Sequence, residues 1–228
     1  MLIAEDLLLL LTDDDTGKLA ASGAAVDVAL GGALLVELTL RQRVDVAGPD
    51  EQVREGRLVV RDASPTGDGL LDEALAIVAT KEGKKPQSAV APLGKRTRVR
   101  LYDRLVASGL LRAEEGLVLG VFPRTRWPSE EAAHEASVRV GLATALRDGL
   151  TTDARTGALV SLLLALKVVH KAVDPAAVGL SRREMTARAK RIAEGDWAAE
   201  AVRHAIDSMS AAVIAATSSA AVLGGGGV

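Results

Sequence analysis

The sequence predicts a mainly α protein, a single compact helical domain around a buried core helix and decorated with short β-hairpins. Three observations predict it. Hydrophobic residues make up 48 % of the chain but aromatics only 2 %, so the core has to be built from Leu, Val and Ala, which suit closely packed helices. Apolar residues recur at helical spacing in several stretches that open on capping residues. Between them lie short alternating runs, bounded by Gly and Pro, that read as strands. At 228 residues the chain can bury one good core, and nothing in its middle has the length or polarity of a free linker. One domain is therefore expected over 1–223, with a flexible Gly-rich tail over 224–228.

Taken in order, Ile3 to Leu11 is continuously apolar after Glu5-Asp6 and predicts a first helix buried nearly all round. Thr12 to Gly17 reads as a turn, because its acidic triplet lacks the alternating ligands and closing Glu of a calcium loop. From Leu30 to Arg43, LGGALLVELTLRQR, small residues precede Leu34, Leu35 and Leu38. Gly31 and Gly32 would let another backbone come close, and this should be the central core helix. Val44 to Val46 and Arg57 to Val60 are two short strands. Ser64 to Val78 is a turn, an Asp or Thr cap, and a helix with Leu70, Leu71, Ala74, Leu75 and Val78 on one face. Its acids Asp68, Asp72 and Glu73 read as a wet face, and Lys81 to Pro92 as a polar connection.

Lys95 to Trp127 carries the densest chemistry. Lys95, Arg96, Arg98, Arg100 and Arg104 crowd cations into a helix whose apolar positions are Val99, Leu101, Leu105 and Val106. Gly109 sits where a left-handed cap is needed. Leu110-Leu111 then start a strand that turns at Glu114 to Gly116, and the return strand, Leu117 to Phe122, is apolar on both faces. Arg124, Arg126 and Trp127 follow. Helices are expected over Ser129 to Leu146, Gly157 to Val169, Ser181 to Glu194 behind a Ser181–Glu184 capping box, and Ala198 to Ser219.

The chain has no cysteine, which excludes disulfides and thiolate sites. His134, His170 and His204 do not pair at metal-ligand spacing. With no nucleophile–base pair, phosphate loop or metal constellation, no enzyme and no cofactor are expected. Leu7 to Leu11 is too short for a signal sequence, and Gly157 to Val169 is short of a span, which predicts a cytoplasmic protein. The net charge of −2 confines any basic surface to a local patch. Cations beside an apolar hairpin suit an anionic membrane. Helix, glycine and hairpin also suit a winged helix-turn-helix on nucleic acid, a reading opposed by the acids spread throughout.

Three stretches together resemble the Golgi phosphoprotein 3 family: LGGALLVELTLRQR at Leu30, SPTGDGLLDEAL at Ser64, and RVRLYDRLVASGLL with its hairpin at Arg98. The composition resembles a bacterial branch. The resemblance runs from about Leu7 to Thr217 and implies a non-catalytic, peripheral membrane protein. It further implies a basic pocket for phosphatidylinositol 4-phosphate or another anionic headgroup, and an apolar hairpin for membrane contact or self-association. Two pocket arginines of the family fall on Lys95 and Arg98, with Arg100 as a further phosphate partner. The hairpin corresponds to Leu117, Leu119, Val121 and Phe122. The family's pocket tryptophan falls at Ser22 and a further arginine at Gly31, where this chain carries neither side chain.

Overall fold

Beyond Glu5 and Asp6 the first eleven residues offer no polar face, and the helix they form, α1 (Ile3–Leu11), is buried at every position. The computed structural model describes residues 1–13, 16–112, 114–118, 122–127, 132–194, 211 and 213–217. After α1, Asp13 accepts a hydrogen bond from the Thr16 N–H at 2.7 Å, Gly17 takes φ +61°, and Thr12 bridges to Leu19. This is the expected turn. Asp14 and Asp15 lie outside the described residues.

Ser22 caps the next helix by accepting from the Ala25 N–H at 3.3 Å. Helix α2 (Gly23–Leu40) thus starts earlier than Leu30. By length and composition it could cross a membrane, yet 67 % of it is buried inside the fold. Helix α1 and four later helices pack against it, so it is the core helix that the sequence predicts. Its glycines explain how closely they pack. A Cβ on Gly31 would lie 2.1 Å from the Val90 carbonyl oxygen, and one on Gly32 would lie 2.2 Å from Val213.

Strands β1 (Val44–Val46) and β2 (Leu58–Val60) pair antiparallel, Val44 opposite Val60. Asp68 then caps α3 (Gly69–Ala79), accepting from Leu70 and Leu71 N–H groups, and the five predicted apolar positions are buried. The supposed polar connection contains a helix, α4 (Gln87–Gly94), with Pro92 inside it. Ala89, Val90 and Leu93 are its buried face. Pro92 obscured it in the sequence, although a helix this short loses only one internal bond to proline.

Helix α5 (Thr97–Ala107) buries Leu101, Tyr102 and Leu105, but Val99 is 60 % exposed and does not serve the core. Gly109 takes φ +76°. Bonds from Gly109 N–H to Val106 O and from Leu110 N–H to Leu105 O complete a Schellman cap. The hairpin lies further along the chain than expected: β3 is Glu114–Val118 and β4 is Phe122–Arg126, with Val118 opposite Phe122. Glu114 to Gly116 is therefore strand, not turn. The connection of 119–121 contains Gly120, and a short Gly-containing loop competes well with Glu-Glu-Gly as a hairpin turn.

Helix α6 (Ala132–Asp148) follows; its predicted cap over 129–131 lies outside the described residues. The predicted run Gly157 to Val169 is two helices, α7 (Ala154–Ala165) capped by Asp153, and α8 (Val169–Ala172), separated where Lys167 takes φ +59°. Helix α9 (Arg182–Ala193) opens on the predicted Ser181–Glu184 capping box. Of the last predicted helix, residues 211 and 213–217 are helical, while His204 and the 224–228 tail lie outside the described residues. One contiguous apolar cluster runs from Leu2 to Val213.

Gly31→Ala should lower urea-unfolding stability by about 3 kcal/mol, since the backbone of α4 blocks the added methyl. Gly69→Ala, where nothing lies within 4 Å of the added atom, should change it by less than about 1 kcal/mol.

Candidate functional site: a cationic corner at the start of the core helix

Helices α4 and α5 meet at a sharp corner. Lys95, the C-cap of α4, is extended (φ −63°, ψ 119°), and Arg96 takes φ +61°, a left-handed conformation that costs a non-glycine residue on the order of 1 kcal/mol. The Thr97 hydroxyl donates back to the Leu93 carbonyl and fixes the first turn of α5. Packing sets the corner's position. A Cβ on Gly94 would lie 2.1 Å from the Asp27 carbonyl oxygen, so only glycine lets the end of α4 rest on the first turns of α2.

Arg98, on the first turn of α5, reaches across this junction. Its Nη1 lies 3.1 Å from where a Cβ of Gly23 would sit, beside the N-cap Ser22. Its Nε is 3.0 Å from Asp27 Oδ1. That ion pair lacks hydrogen-bond angles, and Oδ1 is buried without a hydrogen-bond partner. Burial pushes the Asp27 carboxyl above its ordinary range, and the Arg98 charge only partly opposes this. The N-terminus of an eighteen-residue helix adds positive potential here, because its first N–H groups point outward. Lys95 is exposed and among the described residues has no ion-pair partner. The corner can therefore meet an anion with the Arg98 guanidinium, the Lys95 ammonium and a helix terminus, against one carboxylate, with exposed Arg96 between the two cations in the chain.

Of the three predicted phosphate partners the structure brings Lys95 and Arg98 to this junction and turns Arg100 elsewhere. Positions two apart on a helix point about 200° from each other. Arg100 instead holds Glu73 of α3 through two bonds of 2.6 and 2.8 Å. Arg104 bonds Glu5 at 2.8 Å and both oxygens of Asp68 at 3.1 and 2.8 Å. The acids of α3 are thus engaged rather than merely wet, and Asp72 accepts from the Thr66 N–H and hydroxyl, each at 2.6 Å. Gly31 is buried at the α2–α4 contact, where an arginine has no room. Leu119 and Val121 lie outside the described residues, and of Leu117 and Phe122 the backbone alone is described.

Sequence reasoning missed Asp27 and the aromatic anchor of the hairpin. Asp27 was detectable as a lone acid in an otherwise apolar helix start. Trp127, just beyond β4, stacks on Tyr102 with ring centroids 4.2 Å apart and planes 5° from parallel. The Tyr102 hydroxyl lies 2.8 Å from the Thr12 hydroxyl. Burial raises the Tyr102 pKa, while the Thr12 bond and the Arg98 charge oppose the rise. The hairpin base is thereby fixed one helical turn from Arg98. Among the described residues no group of three or more His, Asp or Glu could hold a metal ion.

Arg104→Ala should cost about 2 kcal/mol, less than a fully buried pair because the guanidinium is 38 % exposed. Burial pushes the Asp68 carboxyl up, but Arg104 and the Leu70 and Leu71 N–H groups outweigh it and hold the pKa below its ordinary value. Its stabilising contribution is thus full above the unfolded pKa and lost as pH falls through the folded one. Without Arg104 that depression of the pKa shrinks, and with it the pH-dependent part of Asp68's contribution, so the variant's stability, followed by urea unfolding at several pH values, should fall less steeply with acid than the wild type's.

The family profile described as Golgi phosphoprotein 3 (GPP34) matches residues 3–209. Vacuolar protein sorting-associated protein 74 of Eremothecium gossypii is 31 % identical over 134 residues, a match covering 49 % of this chain and 39 % of the relative. The chain thus aligns with well under half of that relative's length.

Proposed function

The chain belongs to the Golgi phosphoprotein 3 family, and from that premise we propose that it is a non-catalytic peripheral membrane protein that docks on anionic phospholipid headgroups through Lys95, Arg98 and the Ser22 end of α2. The observation that carries this reading is the Arg98 guanidinium lying over the first turn of α2, with Lys95, which has no ion-pair partner among the described residues, three positions before it in the chain. A headgroup phosphate at this point would gain a charge-assisted bond from Arg98, helix N–H donors, and on the order of 1 kcal/mol from each nearby cation at a membrane surface. A relative named for vacuolar protein sorting supports work at a membrane. The apolar run from Leu117 through Phe122 would supply the contact with the bilayer or with a second copy.

Headgroup selectivity in this reading is electrostatic rather than inositol-specific. Ser22 offers no aromatic wall for a sugar ring, and Gly31 no third guanidinium. Asp27 acts as a resident competitor for Arg98, so docking requires the phosphate to displace it or a proton to neutralise it. The winged-helix alternative is the poorer fit, because it needs Arg98, Arg100 and Arg104 together on one groove, whereas they pair with three different elements.

Vesicle co-sedimentation tests the proposal. Wild type should pellet with anionic but not neutral vesicles and should release as salt rises. Lys95→Ala with Arg98→Ala should abolish pelleting. Phosphatidylinositol 4-phosphate should outperform phosphatidylserine by no more than its extra charge requires. Equal binding of the double variant, or none by wild type, sinks the reading. Asp27→Asn should bind anionic vesicles several-fold more tightly, roughly threefold to tenfold. Because the Asp27 pKa is raised, wild-type binding should strengthen as pH falls toward it, and the Asn variant should lose that dependence.

A further inference from the structure

A second cationic cavity lies far along the chain from the corner, where α8 turns into α9. It is an open depression of about 510 Å³, lined by His170, Lys171, Asp174, Pro175, Leu180 and Arg182 among others. Its charges come from three elements: His170 and Lys171 on α8, Asp174 in the following turn, and Arg182 as the first residue of α9. Among the described residues none of these cations has a carboxylate within ion-pair distance. Lys171 is tethered through its ammonium to the Ala20 carbonyl at 2.5 Å, a neutral partner that leaves its charge uncancelled while Lys171 lines both this depression and the neighbouring one beside Ala20. Asp174 is occupied in accepting from the Ala176 N–H at 3.1 Å. Glu184, the acid nearest in sequence on α9, is held by the Ser181 N–H at 2.8 Å and the Ser181 hydroxyl at 2.7 Å.

We infer that this cavity binds a phosphomonoester-type dianion, with His170 taking up a proton as the anion enters. The charge balance selects the ligand class. Lys171, Arg182 and a protonated His170, less the Asp174 carboxylate, leave two positive charges, which match a phosphate dianion. Empty, the cavity disfavours the third cation: burial depresses the His170 pKa, and the Arg182 and Lys171 charges depress it further. A dianion reverses the last two effects, since an opposite charge at hydrogen-bond distance favours the imidazolium. Anion binding and proton uptake are therefore linked and reciprocal. The site is independent of the headgroup corner, sharing no residue with it.

The test follows the His170 imidazole by NMR, assigned with His170→Gln, while inorganic phosphate is added at several pH values. Saturable binding should raise the His170 midpoint by about one pH unit. Arg182→Ala should raise the midpoint without phosphate, by removing a like charge, and should abolish the further rise on adding it. Arg182→Lys should restore part of the response, which guards against a merely misfolded variant. Arg98→Ala should leave the response intact, so that failure here and failure of the membrane reading are separable. A parallel arm sediments Arg98→Ala with phosphatidate vesicles. Binding that disappears on adding Arg182→Ala assigns the phosphate to a lipid, and a response to inorganic phosphate alone assigns it to a soluble ligand. A His170 midpoint that does not move in wild type, or moves equally in Arg182→Ala, overturns the inference.

Discussion

Three carboxylates buried at the start of the fold hold the helices in register. Glu5 and Asp6 on α1 and Glu37 on α2 are each no more than 5 % exposed, and burying such charges without partners would cost several kcal/mol each. Every one is answered. Glu5 takes Arg104 from α5, and Asp6 takes Arg155 from α7 and His134 from α6. Glu37 accepts the Ile3 N–H at 2.8 Å and pairs with Arg41. Through Arg104 the chain of contacts continues to Asp68, the cap of α3. Apolar packing supplies the driving force, but leucine faces are interchangeable, and this network selects one arrangement among the ways such helices could stack.

The same economy governs the basic helix. A run of five cations between Lys95 and Arg104 reads as a surface for an anion, yet folding assigns Arg100 and Arg104 to α3 and α1. What is left for a ligand is the end of the run, where Lys95 and Arg96 are exposed with no ion-pair partner among the described residues and Arg98 meets only a partly exposed, reluctant carboxylate in Asp27. The proposed docking point lies at the boundary between the part of the helix that fastens the fold and the corner that precedes it. The corner in turn depends on Gly31 and Gly94, since any side chain at either would push α4 off α2 and carry Lys95 away from Arg98.

Tyr102 links the two halves of the proposed docking face. Its ring stacks on Trp127 at the root of the hairpin while its own helix carries Arg98 one turn earlier. A hairpin anchored at its base by a flat aromatic pair is held in orientation relative to the cations. Such a pairing contributes about 1 kcal/mol beyond its burial, enough to fix a preferred angle.

The sequence by itself determined the elements whose cause is local. Ser181 as a cap, Asp68 before a leucine face, Gly109 after a helix, and the leucine-rich runs of α1 and of α2 from Leu30 follow from short-range sterics, hydrogen bonding and periodicity, and so does the family resemblance carried by those motifs. Local rules also misplaced two things. They read Lys81 to Pro92 as a polar connection where α4 exists, and they set the hairpin turn at Glu114 to Gly116, because a turn's register depends on what its strands pair with. Tertiary structure alone decided which cations remain available. Arg98, Arg100 and Arg104 are chemically identical and lie on one short helix, and only the placement of Asp27, Glu73, Glu5 and Asp68, brought together from distant parts of the chain, tells them apart. Charge pairing acts over a few ångströms of space, not of sequence, and so it becomes legible only when the chain has folded.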